Sequence, residues 1–181
     1  MKFESTGFDG LYLIRPEPYA DERGWFFRTY CEREFASIGF TGHFVQMNLS
    51  HNKKKGTLRG MHAQIKPHQE AKLIRCIKGR IWDVVVDLRV GSPTFLQYFA
   101  VELSEYDFLS LWVPEGFAHG FLTLEDATEL IYHHTHFYTP GEEFCVRYDD
   151  PAVGIKWPDV VETVSEKDRS YAFIQQDFKG I

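Results

Sequence analysis

Short runs of apolar and aromatic residues, separated by Gly, Pro, Asn or Asp, recur along most of the chain. "GLYLIRP", "WFFRTY", "HFVQMNLS", "KLIRCI", "RIWDVVVDLR", "QYFAVELS", "FLSLWVP" and "ELIYHHTHFY" read as strands. Only "EREFASIG" and the tail from about Ser165 carry a helical pattern, and both are short. Many short strands with turn signals predict an all-β sandwich or barrel. With no linker and no internal repeat, 181 residues fit one domain, residues 1–181. Side chains alternate across a strand, so in "RIWDVVVDLR" Trp82, Val84, Val86 and Leu88 share a face that reads as packed core. Asp83 and Asp87 share the other face with Ile81, Val85 and Arg89. The ordinary expectation is that both carboxylates are solvated, with Asp83 the better candidate for a polar site inside a barrel.

Composition narrows the functional classes. The net charge of −6 argues against a general nucleic-acid binder. Hydrophobic residues make up 44% of the chain and no long polar run interrupts them, which argues against disorder. Cys31, Cys76 and Cys145 are odd in number and form no CxxC pair, so free thiols in a reducing cytoplasm are expected. The opening residues lack a basic segment followed by an apolar one, as a signal peptide would have. No apolar run approaches the ~20 residues of a membrane helix.

The segment "GTLRGMHAQIKPHQEAKLIRC" raises the chemical question: His62 is either the start of a metal site or a base that works without metal. "PEGFAHGF" carries Pro114, Gly116 and His119 in the Pro-x-Gly-x-x-His arrangement of the second cupin motif. The first cupin motif wants His-x-His followed by Glu, and here His62 is followed by Gln64 and Glu70. A set of His62, Gln64, Glu70 and His119 would make a metal-dependent oxygenase or isomerase, but neutral Gln is a poor ligand beside imidazole, thiolate or carboxylate. Glu70, in the polar turn "KPHQE", is expected near the surface. In "YHHTHFY", His134 and His136 fall on one face of a strand with Tyr132 and Tyr138, a spacing that can grip zinc and is more often an ordinary polar sheet edge. The metal-free alternative is a polar pocket of His, Tyr and Lys beside a carbonyl. His serves as base near neutrality, Tyr delivers a proton, and Lys stabilises an enolate oxygen.

At these residues the chain closely resembles the dTDP-4-dehydrorhamnose 3,5-epimerase family. The likeness is carried by "LRGMHAQ", "EAKLIRCIKGRIWDVVVDLRVGSPTF", "LWVPEGFAHGF", "YDDPAVGIKWP" and "VSEKD", and runs from about Arg23 to Asp168. The resemblance implies a cupin-type double-stranded β-helix (jelly roll) with short peripheral helices. It also implies a homodimer that exchanges N-terminal strands, and no metal or nicotinamide cofactor. The implied reaction epimerises a nucleotide-linked 4-keto-6-deoxyhexose at C3, C5 or both. By the same resemblance His62 matches the base, Asp168 the carboxylate orienting it, Tyr132 the acid and Lys72 the cation near the C4 oxygen. Arg59, His119 and Lys167 match residues reaching the diphosphate or sugar, and Arg23, Gln46, Asn48 and Glu143 match further substrate positions. Arg28 lies with the nucleotide-binding residues, where the family usually has Glu, and Ala63 stands where it usually has an aromatic residue.

Overall fold

The β-rich pattern folds into two facing sheets, in a computed structural model that describes all 181 residues. The strands are β1 (Lys2–Ser5), β2 (Tyr12–Arg15), β3 (Tyr19–Asp21), β4 (Gly24–Phe26), β5 (Gln46–Asn52), β6 (Thr57–Gln64), β7 (Lys72–Lys78), β8 (Arg80–Asp87), β9 (Tyr98–Ser104), β10 (Ser110–Val113), β11 (Phe117–Thr123), β12 (Thr128–His134), β13 (Glu143–Cys145) and β14 (Thr163–Val164). The helices are α1 (Glu32–Phe35), continued by a 3-10 turn over Ala36–Ile38, and α2 (Glu166–Ser170). One sheet runs β1-β2-β10-β7-β12-β5 and the other β13-β6-β11-β8-β9, with β14 added in parallel on β6. All other pairings are antiparallel, and β3–β4 forms a separate hairpin. This is the expected jelly roll. Two of its central strands, β6 and β11, lie in segments that the sequence pattern presents as chemical motifs rather than strands.

Apolar side chains from both sheets meet in the interior: Ile74, Leu111, Val113 and Leu130 from one, Ile81, Val85, Leu103, Phe117 and Phe121 from the other. The outer face of the second sheet buries Met61, Val84, Val86, Leu88 and Ala118 under the C-terminal residues Ile174, Phe178 and Ile181. On the first sheet α1 lays Phe35 over Leu73, Ala71 and Trp112. Strand β8 is therefore buried on both faces: the solvated reading of its aspartates fails, and the interior position considered for Asp83 holds. Asp83 and Asp87 are both fully buried. Asp87 accepts hydrogen bonds from the Arg89 guanidinium at 2.7 and 2.9 Å and from the Ser92 and Thr94 hydroxyls at 2.6 Å each. Burial alone would raise its pKa, but these donors hold it down at about 2.

One irregularity positions the candidate site. In a regular strand Arg59 and His62, three apart, would point to opposite faces. Here His119 pairs with His62 and Phe121 with Arg59, so β6 carries an extra residue opposite Gly120. Such a bulge re-aims side chains, and both Arg59 and His62 line the same cavity. Gly60 and Gly120 permit the close approach: a Cβ on Gly60 would stand 2.5 Å from the Gly120 Cα.

Candidate active site

A cavity of about 580 Å³ opens between the sheets, within the range of small-molecule sites. Register pairs build its walls. On the first sheet, Gln46, His134 and Lys72 lie side by side on β5, β12 and β7, and Asn48 lies beside Tyr132. On the second, His62 lies beside His119, and Arg59 beside Phe121. His62 and Tyr132 therefore line the cavity from different sheets.

Asp168 reaches His62 from the far end of the chain. Strand β14 docks along the start of β6, pairing Val164 with Leu58, and Ser165 caps α2 by accepting the Asp168 N–H at 3.0 Å. This turn carries the Asp168 carboxylate to 2.7 Å from His62 Nε2. Its second oxygen faces the Gly60 N–H at 3.4 Å. Burial would raise the Asp168 pKa, but the hydrogen bond and charge of His62, with the neighbouring Ser165 hydroxyl and the Gly60 N–H, hold it below the ordinary carboxylate range. An anionic Asp168 on Nε2 keeps the proton there and leaves Nδ1 as the lone-pair nitrogen, the tautomer a base requires.

Other polar groups surround this pair. His119 Nε2 lies 2.9 Å from the Asp83 carboxylate, which is pushed up by burial against the opposing pull of His119 and Lys72. The His119 and Tyr132 rings meet edge to face at 5.9 Å. Burial, with the charge of Asp83, raises the Tyr132 phenol well above its usual value, so it holds its proton at any neutral pH. The Arg59 guanidinium is steadied by Asn52 at 2.7 Å. Lys167 bonds Glu143 at 2.8 Å at the mouth, an interaction that raises the lysine's pKa despite some desolvation.

Of the residues singled out in the sequence, His62, Tyr132, Asp168, Lys72, Asn48, Arg59, His119, Glu143 and Lys167 all line this cavity. Gln46 is not among the lining residues but donates to Asn48 Oδ1, which is, at 3.3 Å. Arg23 and Arg28 do not reach it. Arg23 sits at the exposed tip of the β3–β4 hairpin, paired with Asp21, and Arg28 pairs with Glu34 at 2.9 Å. The metal alternative does not assemble. No group of three or more His, Cys, Asp or Glu side chains is arranged to hold an ion. His62 is engaged by Asp168, His119 by Asp83, and Gln64 by the backbone of Phe137 and Thr139. His134 and His136 part company because β12 ends at His134, and His136 turns to the Phe137 carbonyl.

Glu70 departs furthest from expectation. It is buried inside the cavity wall, not in a surface turn, with Lys72 at 3.2 Å and His134 at 2.7 Å. The available signal was its position two before Lys72, which places both on one face of an extended segment. His134, considered in the sequence only as a zinc ligand or a sheet-edge residue, also lines the cavity, and Asp83 lies buried beneath it against His119.

A jelly roll whose cavity is lined by a carboxylate-held histidine from one sheet and by a tyrosine and a lysine from the other defines a site equipped for acid–base chemistry on a polar ligand. The family profile described as dTDP-4-dehydrorhamnose 3,5-epimerase matches residues 5–176. The dTDP-4-dehydrorhamnose 3,5-epimerase of Sinorhizobium fredii is 42% identical over 171 residues, covering 94% of this chain and 88% of that one. The crystal structure of the Elizabethkingia anophelis enzyme superposes with a TM-score of 0.93 at 39% identity, covering 98% of each chain. That of the Legionella pneumophila dTDP-6-deoxy-D-glucose-3,5-epimerase, solved in complex with dTDP-4-keto-L-rhamnose, gives 0.89 at 38% identity over 95% of this chain and 92% of that one. The chain belongs to the dTDP-4-dehydrorhamnose 3,5-epimerase family and is an isomerase of the epimerase class.

Proposed function

We propose that this cavity epimerises a dTDP-linked 4-keto-6-deoxyhexose, with His62 as the base and Tyr132 as the acid. The observation that carries the assignment is the placement of these two residues on different sheets of one cavity, with Asp168 fixing the histidine tautomer. The substrate's C4 carbonyl acidifies the hydrogens on C3 and C5. His62 Nδ1 removes one, the electron pair moves into an enolate, and Lys72 offsets the charge on the former carbonyl oxygen. Tyr132 then returns a proton on the opposite face. No electron leaves the substrate and no net proton is consumed. Arg59, His119 and Lys167 hold the diphosphate or sugar, with Gln46, Asn48 and Glu143 as further polar contacts. The ligand of the Legionella relative is of this substrate class.

Arg23 and Arg28 fit a homodimer in which the hairpin of one protomer completes the cavity of the other. The hairpin exposes Tyr19, Trp25 and Phe26, and β5 exposes Met47 and Leu49, large apolar side chains of the kind a partner subunit covers. Mixing Arg23→Ala protein with His62→Ala protein would restore activity, because the mixed dimer contains one intact site. A fully active monomer would overturn this arrangement. Arg28, a cation where the family resemblance implies a carboxylate, weakens discrimination for thymine. Titration with dTDP, UDP, CDP and GDP tests this, and a strong dTDP preference left unchanged by Arg28→Glu would remove the idea. We place the reaction in the cytoplasm, where a nucleotide-sugar pool and three free thiols are both at home.

The direct test of function is incubation with dTDP-4-keto-6-deoxyglucose in D₂O, followed by NMR. Deuterium and inversion at C3 and C5 are expected. Retention of both original hydrogens would overturn the assignment.

A further inference from the structure

A continuous line of hydrogen bonds runs along the first sheet's cavity wall. The Tyr138 N–H donates to Gln46 Oε1 at 3.2 Å, and Gln46 Nε2 donates to Asn48 Oδ1 at 3.3 Å. Asn48 Nδ2 lies 3.3 Å from His134 Nε2, and His134 Nδ1 lies 2.7 Å from Glu70 Oε2. Glu70 Oε1 meets the Lys72 ammonium at 3.2 Å, and Lys72 also donates to the His62 carbonyl at 3.4 Å. The directions agree at every link. The Gln46 contact turns the Asn48 amide so that its NH₂ faces His134. Nε2 must then accept, which leaves the His134 proton on Nδ1, aimed at the Glu70 carboxylate. Glu70 and His134 are largely shielded from solvent, with side-chain exposures of 8% and 11%.

Resting on the epimerase reading above, we propose that Glu70 and His134 are positioning residues that hold Lys72 against the substrate's C4 oxygen and the Asn48 amide, itself oriented by Gln46, against the rest of the substrate, as one unit. Lys72 is a flexible side chain, and an ammonium that must meet an enolate oxygen gains from being held in place before the charge develops. Glu70 supplies that hold from one side, and His134 fixes Glu70. The His134 ring is held in turn by stacking on Tyr132, at 6.0 Å and 25°. Burial would push the Glu70 carboxyl up, yet the His134 hydrogen bond and the Lys72 charge bring it below its usual value, as a working anion requires.

Glu70→Gln breaks this line whichever way its amide turns. With its NH₂ toward Lys72 it sets donor against donor. With its NH₂ toward His134 it moves the imidazole proton to Nε2, opposite the Asn48 NH₂. We expect a kcat for solvent-hydrogen exchange about tenfold or more below wild type, short of the ~10²–10³-fold expected on removing the stabilising cation itself. His134→Phe keeps the ring stack but neither hydrogen bond, and is expected to lower kcat and raise KM together. His134→Gln carries an N–H donor and a carbonyl acceptor at the spacing of the two ring nitrogens, and should recover most of both constants. Thermal unfolding and dTDP binding are measured alongside. Wild-type constants in both Glu70→Gln and His134→Phe would overturn the inference. So would a loss that tracks the folded fraction and is not rescued in His134→Gln. If Glu70→Gln fails to fold, the two His134 variants decide the matter. Wild-type protein that exchanged no hydrogen at all would instead overturn the functional reading beneath.

Discussion

Replacing Asp168 by Asn tests the base assignment with one atom changed. The carboxylate accepts two hydrogen bonds, from His62 Nε2 at 2.7 Å and from the Gly60 N–H at 3.4 Å. An amide cannot accept both with different atoms. If its oxygen stays on His62, its NH₂ faces the Gly60 N–H. If it turns its oxygen to Gly60, its NH₂ donates to Nε2 and the imidazole proton moves to Nδ1, the nitrogen that must take the substrate hydrogen. The variant also loses the negative charge that stabilises the imidazolium. A wrong-tautomer substitution of this kind costs about 10⁴-fold in rate in a histidine–aspartate pair, which is about 5.4 kcal/mol at about 1.36 kcal/mol per tenfold. The assay is deuterium wash-in at C3 and C5 under saturating substrate, with dTDP binding and thermal unfolding as controls. Asp168→Asn should fold and bind dTDP like wild type, because Ser165 still caps α2 through the backbone N–H. Wash-in within tenfold of wild type would refute the claim that Asp168 sets the base.

Tyr132→Phe should separate exchange from inversion: His62 still removes the proton, so deuterium enters, while inverted product falls far more, and NMR of the recovered sugar reads both. Undiminished inversion would show that another group is the acid. Gly120→Ala should destabilise the fold by about 1–3 kcal/mol or more, since its Cβ would meet Met61 Sδ at 2.5 Å and the Arg59 carbonyl at 2.6 Å; a Tm equal to wild type would contradict this. Glu34 is held at about 2 by hydrogen bonds from the N-terminal amine and Arg28, against its usual value of 4.5. Its folded pKa is the lower one, so its contribution to stability is complete above 4.5 and is lost as pH falls toward about 2. Glu34→Gln should therefore be less stable than wild type at neutral pH, with the gap closing across that acid range in urea unfolding series; a gap independent of pH would refute it.

Local pattern alone determined much of this protein. Alternating apolar residues marked most strands, because half of each strand's side chains must face a core. The family likeness named His62, Tyr132, Lys72 and Asp168, which the structure gathers into one cavity although Asp168 lies 106 residues from His62. Alternation reports that two faces differ, not which of them a second sheet will cover. For that reason the pattern left Asp83 and Asp87 open between solvent and interior, whereas packing on both sides of β8 buries them. The "KPHQE" turn read as surface because its composition is polar, whereas pairing of Lys72 with His134 across β7 and β12 draws Glu70 inward. Arg59 and His62 are three apart and share a wall only because β6 bulges against Gly120. A bulge is a mismatch between two strands, settled by how each packs against its neighbours, and no single strand's sequence contains it.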